Sequence, residues 1–229
     1  MQDLTHPIET GMQTYPGDPA VSVEVVATHD SDEYRESKLT CGSHTGTHVD
    51  APAHTEPTGE TLEEFDVAAF ERTCRRVDCR DLDAREPISA DRVPTVESHV
   101  DCLVFWTGWD VHWGTDQYLD HPYLSPAAAE RCAEQGVAVG VDTLNPDPTP
   151  SERADPAEPE GFPAHHAILG AGLMIFENLR NLGAVGDRFE LRAYPIRLDG
   201  DGAPVRAVGV DRWPGGLSYT AIVRDVSGE

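Results

Sequence analysis

The chain has 229 residues and a formal net charge of −24, with Lys38 as its only lysine. That length suits one domain with one substantial core, and the charge argues against nucleic acid or anionic membranes as partners, since both would be repelled. No apolar run approaches the roughly twenty residues that span a bilayer, and the opening MQDLTHPIET has neither the basic patch nor the apolar stretch of an export signal, so the chain reads as cytoplasmic.

The elements follow in chain order. Residues 1–19 close on the turn Pro16-Gly17-Asp18-Pro19. Residues 21–27 are β-branched and predict a strand, and 38–41 predict a second that leads into a histidine-rich stretch. Between them HDSDEYRESK is a polar loop, with His29 in solvent. Residues 62–70 have the apolar spacing of a short helix, with Thr61 as its cap. A strand is expected over 74–79, whereas 88–93 is ambiguous. CLVFW at 102–106 is a continuous apolar run, the mark of a fully buried strand. Residues 125–135 begin with Ser-Pro and stop at Gly136, as a helix does, and 137–141 predict a buried strand with Asp142 at its far end. The Pro-, Asp- and Glu-rich stretch 144–164 has no apolar period and is a long loop of the kind that usually carries function. A short helix at 165–169 ends at Gly170-Ala171-Gly172, a buried strand at 173–176 delivers Glu177, and 189–198 and 204–210 are closing strands. Interleaved strands and helices without repeat or linker indicate a mixed α/β single domain.

A surface rich in Asp and Glu and almost free of lysine points, as a hypothesis, to adaptation to high salt, where screening removes self-repulsion. The apolar periodicity and aromatic content call for a folded chain rather than a disordered one. Cys41, Cys74, Cys79, Cys102 and Cys132 are scattered and odd in number, and are expected to be reduced thiols packed as small hydrophobes.

Residues 41–54, CGSHTGTHVDAPAH, concentrate His44, His48, Asp50 and His54. In a fully extended strand His44 and His54 would lie roughly 33 Å apart, whereas ligands of one metal converge to within about 2 Å of it. The chain must therefore turn, and Gly46 and Pro52 are placed to turn it. His44, His48 and Asp50 can then share one ion and leave it an open position, which a hydrolytic metal needs. His54, beyond the proline, is better placed as an acid or base beside the ion than as a ligand. Surface histidines in a polar loop would be the bland alternative, but such crowding beside a glycine and a proline speaks against it.

HTGTHVDAPAH resembles the HxGTHxDxPxH motif of the metal-dependent cyclase family, whose members include bacterial-type kynurenine formamidases and isatin hydrolases. YPGDP at 15–19, TGW at 107–109, GVDT at 140–143 and HHAILGAGLMIFENL at 165–179 extend the resemblance over roughly residues 3–210. It implies a swivelling β/β/α fold with a mixed, barrel-like sheet flanked by helices, filling a cyclase-like domain over 1–210, with 211–229 an extension of no assigned role. It also supplies His165 and Glu177 as ligands of a second ion, although His166 beside His165 leaves that choice open on sequence alone. Asp50 would bridge two divalent ions, Zn2+ or alternatively Mn2+. A hydroxide held between them would attack an amide carbonyl, and His54 would carry the proton to the leaving nitrogen. The family resemblance implies a homodimer at least. Tyr15 stands where kynurenine formamidases carry a tryptophan just before PGD, and a tyrosine can still stack on a substrate ring. Trp106, Trp109 and Trp113 are further candidates for the pocket, with Trp106 the most core-like, while His112 and His121 read as structural.

Three functions follow. The first is an arylformamidase that hydrolyses N-formylkynurenine to kynurenine and formate in tryptophan catabolism. The second keeps the machinery for a cyclic amide such as isatin, or another small amide or ester. The third is a metal or small-ligand binding module without catalysis, which would have no use for a proton carrier at His54.

Overall fold

In a computed structural model, which describes residues 1–211, the chain runs β1 (Gln2–Asp3), β2 (Ser22–Ala27), α1 (His29–Asp32), β3 (Glu36–Thr40), β4 (His48–Asp50), β5 (Glu71–Asp78), β6 (Pro87–Ile88), β7 (Cys102–Trp106), β8 (Tyr123–Leu124), α2 (Pro126–Glu134), β9 (Ala138–Val141), α3 (Pro163–Leu169), β10 (Ile175–Glu177), β11 (Arg188–Pro195) and β12 (Gly202–Asp211). The extension expected over 211–229 lies outside the described residues except for Asp211, the last residue of β12.

The main sheet follows the order β1-β12-β11-β5-β7-β9-β10-β4, and β4 pairs again with β12, so the sheet closes on itself. β5, β7, β9 and β10 are mutually parallel, and the remaining pairs are antiparallel. This is the mixed, barrel-like sheet of an α/β domain. β7 shows why the run CLVFW forms a central strand. Cys102 and Val104 point into the barrel with Phe176, Phe189 and Leu191, while Leu103 and Phe105 point outward beneath α2 and α3 with Ile168 and Val139. A strand covered on both faces has no polar side, hence no alternation. Fully burying Leu103 or Phe105 contributes roughly 1.5–3 kcal/mol each.

Ser125 caps α2, its hydroxyl accepting from the Ala128 amide at 3.2 Å, with Pro126 in the first turn. The helix expected over 62–70 is instead two 3-10 turns, Leu62–Glu64 and Val67–Phe70. Asp66 between them is extended (φ −62°, ψ 145°), and Leu62 and Phe70 reach the core from separate turns. Thr61 does cap the first, donating its amide to the Glu64 carboxylate at 2.9 Å. The strand placed at 38–41 runs Glu36–Thr40 and, among the described residues, pairs only with β2 in a separate hairpin, so it does not deliver the histidine motif directly. The polar loop before it contains the single turn α1. The ambiguous stretch 88–93 divides between β6 and a 3-10 turn at Ala90–Arg92. Pro163 starts α3 two residues before the expected helix, β10 is Ile175–Glu177 rather than 173–176, and β11 ends at Pro195, three residues early. All five cysteines are free thiols, and all but Cys41 are buried.

Candidate metal centre

The centre is built on a cross-strand pair. β4 places His48 and Asp50 on one face, two residues apart, while Val49 between them points into the barrel core. In the antiparallel register of β4 with β10, Glu177 stands opposite His48 and Ile175 opposite Asp50. Directly opposed residues share a face. The imidazole Nε2 of His48 accordingly lies 3.1 Å from Asp50 Oδ1 and 3.2 Å from Glu177 Oε2.

The turn demanded by the motif occurs at Gly46, whose φ of +62° suits glycine, and a Cβ there would meet Met12 Cε at 2.9 Å. The Gly46 carbonyl accepts a hydrogen bond from His48 Nδ1 at 2.8 Å, which turns the Nε2 lone pair toward the carboxylates. His44 folds back so that its Nδ1 is 2.7 Å from Asp50 Oδ1. It lies over Gly202 of β12, where any Cβ would come within 2.5 Å of His44 Cε1.

α3 supplies the opposite side. His165 is buried, with its Nε2 3.2 Å from Glu177 Oε1 and 3.7 Å from Asp50 Oδ2. Its Nδ1 donates to Asp147 Oδ2 at 2.7 Å, and the same carboxylate accepts from the Ala164 and His165 amides. That contact fixes the ring and leaves Nε2 as the donor atom toward the centre. His166, its rival by sequence, points to the surface and pairs with Glu56 at 2.9 Å.

Whether these residues fit a divalent ion is answered by their buried polar atoms. His48 Nε2, Asp50 Oδ2 and Glu177 Oε1 are all buried and form no aligned hydrogen bond with any of the described residues, although charged neighbours lie 3.1–3.7 Å away. Orphaned buried acceptors are costly unless something positive satisfies them. Burial would lower the imidazole pKa values. The Asp50 charge outweighs it for His44, raised to about 9, and for His48, raised well above its ordinary value. The Asp147 hydrogen bond and the Glu177 charge outweigh it for His165, raised to about 10. Burial would raise the Asp50 carboxyl, yet His48 and His44 hold it well below the usual range. The centre thus demands positive charge, and its nitrogen and oxygen donors suit Zn2+ or Mn2+. His44, His48 and Asp50 lie close enough together to hold an ion on one side; on the other, the resemblance supplies Asp50, His165 and Glu177, and His54 also comes within ligand reach of Asp50 and His165.

His54 sits in the 3-10 turn that Pro52 begins and is more exposed than His44, His48, Asp50, His165 and Glu177. Its ring lies 3.9 Å from the His44 ring, centroid to centroid, and 5.6 Å from that of His165. The cleft above the centre encloses about 250 Å³ and is walled by Tyr15, Phe162, Leu144 and Asn145. The Tyr15 and Phe162 rings are 6.1 Å apart. Burial, aided by Asp147 and Asp18, raises the Tyr15 pKa and keeps the phenol neutral. None of the candidate tryptophans lines the cleft. Trp106 packs beneath the Arg76 and Arg80 guanidinium groups, while Trp109 and Trp113 belong to the cluster behind Tyr15. Their bulk backs the aromatic wall from one layer away. His121 is buried and structural, bonded to Pro122 and Thr149, and His112 is on the surface, partnered with Gln117.

Three further contributors lie outside the site residues expected from the sequence. Asp147 orients His165. Asn178 follows Glu177 at φ +53° and is held by Tyr118 Oη and the Leu144 carbonyl. Asp201 lies between His44 and His54, its Oδ2 2.9 Å from His44 Nε2 and 3.2 Å from His54 Nδ1.

A family profile described as putative cyclase matches residues 2–148. The kynurenine formamidase of Bacillus mycoides (strain KBAB4) is 31% identical over 212 residues, covering 90% of this chain and 95% of that relative. An isatin hydrolase solved with the product analogue thioisatinate superposes with a TM-score of 0.81 at 22% identity, covering 93% of this chain and 92% of its own. A structure described as a potential metal-dependent hydrolase with cyclase activity superposes with a TM-score of 0.72 at 27% identity, covering 93% and 98%.

Proposed function

The chain belongs to the putative cyclase family and is a metal-dependent hydrolase of carbon–nitrogen bonds other than peptide bonds, and we propose that its substrate is an aryl formamide, with N-formylkynurenine the first candidate. The observation that carries this reading is the buried packing of two imidazoles against two carboxylates, with His48 Nε2 3.1 Å from Asp50 and 3.2 Å from Glu177 and His165 Nε2 3.2 Å from Glu177, beneath an aromatic-walled cleft. A divalent metal bound there supplies an activated water and polarises the carbonyl.

The chain's own residues do the rest. Tyr15 and Phe162 take the aryl ring and orient the formamide over the centre. His54 stands at the rim, where it can accept the proton of the attacking water and pass it to the departing nitrogen. The water oxygen adds to the formyl carbon first, and the C–N bond breaks afterwards as the nitrogen takes up the proton, giving formate and an arylamine. Asp147 and the Gly46 carbonyl keep the His165 and His48 rings from turning during this exchange. Asp50, with one oxygen toward each side, would serve two ions, Zn2+ or Mn2+, and the protein would be a homodimer; these parts of the proposal rest on donor chemistry and on the resemblance read from the sequence.

One observation favours a second substrate class. Among the described residues neither lysine nor arginine lines the cleft, whereas Asp18 does, so none of them offers a cationic partner to the carboxylate of an amino-acid substrate. A small uncharged cyclic amide of the isatin type suits such walls.

The test is turnover by metal-loaded protein of N-formylkynurenine, simpler aryl formamides and isatin, followed by release of formate or of the ring-opened acid. Hydrolysis of the formamides supports the first reading, and preference for isatin moves the assignment to the second. No turnover of any of them with stoichiometric metal bound would leave a binding module.

A further inference from the structure

We propose that Asp201 is a positioning residue that couples the metal ligand His44 to the proton carrier His54. The proposal rests on the hydrolytic reading for the role of His54, but its geometry stands independently. One carboxylate oxygen, Oδ2, lies 2.9 Å from His44 Nε2 and 3.2 Å from His54 Nδ1. The two rings pack against each other at 3.9 Å with 34° between their planes. An imidazole held by a carboxylate at one nitrogen presents the other in a fixed direction. Held by Asp201 at Nε2, His44 presents Nδ1 toward Asp50. Held by Asp201 at Nδ1, His54 carries its proton there and keeps Nε2 free for exchange with substrate.

The surrounding backbone is built for this contact. The Asp201 carbonyl accepts from the Ala51 amide at 2.8 Å, and the Gly200 carbonyl from the Leu62 amide at 2.9 Å, so main-chain bonds pin the turn both to the end of the ligand-bearing strand and to the 3-10 turn at Leu62–Glu64. Gly202 pairs with Asp50 in the β12–β4 register and has no Cβ to keep the His44 ring away. The Asp201 side chain is 42% exposed, and none of these backbone bonds depends on it, so truncating it leaves the fold in place.

The experiment compares Asp201→Ala, Asp201→Asn, His54→Ala and the double variant His54→Ala/Asp201→Ala in the full-length metal-loaded protein. Metal affinity is read by chelator competition, the His54 tautomer by long-range ¹H–¹⁵N NMR of the imidazoles, and kcat and KM with an aryl formamide at saturating metal. For Asp201→Ala we expect metal affinity to fall roughly 10- to 100-fold. The fixed Nδ1–H tautomer of His54 should give way to an averaged one, and kcat should fall at least about tenfold with KM changed less than about twofold. Asp201→Asn, which keeps an acceptor oxygen, should recover part of each loss. In the His54→Ala background most of the kcat cost of Asp201→Ala should vanish, because residues that act through one another are not additive.

Unchanged metal affinity together with an unchanged His54 tautomer in Asp201→Ala would overturn the proposal. So would a full, additive loss of kcat on top of His54→Ala. Should the wild-type chain hydrolyse no aryl formamide, the substrate reading fails, and metal affinity and the tautomer still decide the role of Asp201.

Discussion

Glu177 stands directly across the β4–β10 pair from His48, with its Oε2 3.2 Å from the imidazole Nε2. One strand pairing thus joins the two halves of the centre, the histidine motif and the end of β10. Asp50, two residues on from His48, has an oxygen toward each side: Oδ1 toward His44 and His48, Oδ2 toward His165.

If Asp50 bridges two ions, Asp50→Ala loses both, whereas Glu177→Gln weakens one and leaves the fold intact. Elemental analysis of protein purified without chelator, with a melting curve for each variant, checks both. Full metal content in Asp50→Ala would rule out the bridge. His48→Ala should likewise lose metal, since its Nε2 faces two carboxylates.

His54 separates ligand from proton carrier. His54→Ala should keep its full complement of metal and near-normal substrate binding, while kcat falls roughly 10²- to 10⁴-fold, the range of general acid–base help. An effect confined to kcat marks an interaction made in the transition state. Loss of metal would make His54 a ligand, and an unchanged kcat would remove the proton carrier from the mechanism.

The parts of the centre legible in the sequence are those whose partners are close in the chain. His44, His48 and Asp50 lie around one bend, and Gly46 announces the bend. The buried strand at 102–106 was equally plain, because both its faces are covered. Asp201 was not legible: it lies 157 residues from His44, is one of 41 acidic residues in the chain, and meets the site only because β12 closes the barrel against β4. Asp147 is hidden similarly inside a loop whose proline and acidic content says only that it is irregular. The expected helix over 62–70 failed for a local reason, since Leu62 and Phe70 have helical spacing while Asp66 between them is extended.

His121 gives a pH dependence of its own, beside those of the histidines of the centre. Burial lowers its pKa to about 4 from an ordinary 6.5, and its ring is bonded at 2.8 Å to both the Pro122 carbonyl and the Thr149 hydroxyl. Between pH 4 and 6.5 the unfolded chain binds a proton that the folded chain does not. Stability from this group therefore rises with pH across that window and is lost on acidification, by up to about 1.4 kcal/mol per pH unit. Urea unfolding of metal-free wild-type protein and His121→Gln should show the wild type falling more steeply as pH drops from 6.5 to 4. Parallel slopes would contradict it.

The net charge of −24 yields a separate hypothesis about salt. If self-repulsion among the acidic side chains loosens the fold in dilute buffer, the melting temperature should climb from low to molar KCl as screening sets in. Maximal stability without added salt would sink the idea of halophilic adaptation.

The central claim is that hydrolysis depends on metal held by His44, His48, Asp50, His165 and Glu177. Its most direct test strips the protein with a chelator and adds back Zn2+ or Mn2+ stepwise while bound metal and formate release from an aryl formamide are measured on the same sample. The proposal requires that the stripped protein be inactive, that activity return in step with bound metal, and that both level off at two ions per chain. Undiminished formate release by the stripped protein would contradict it.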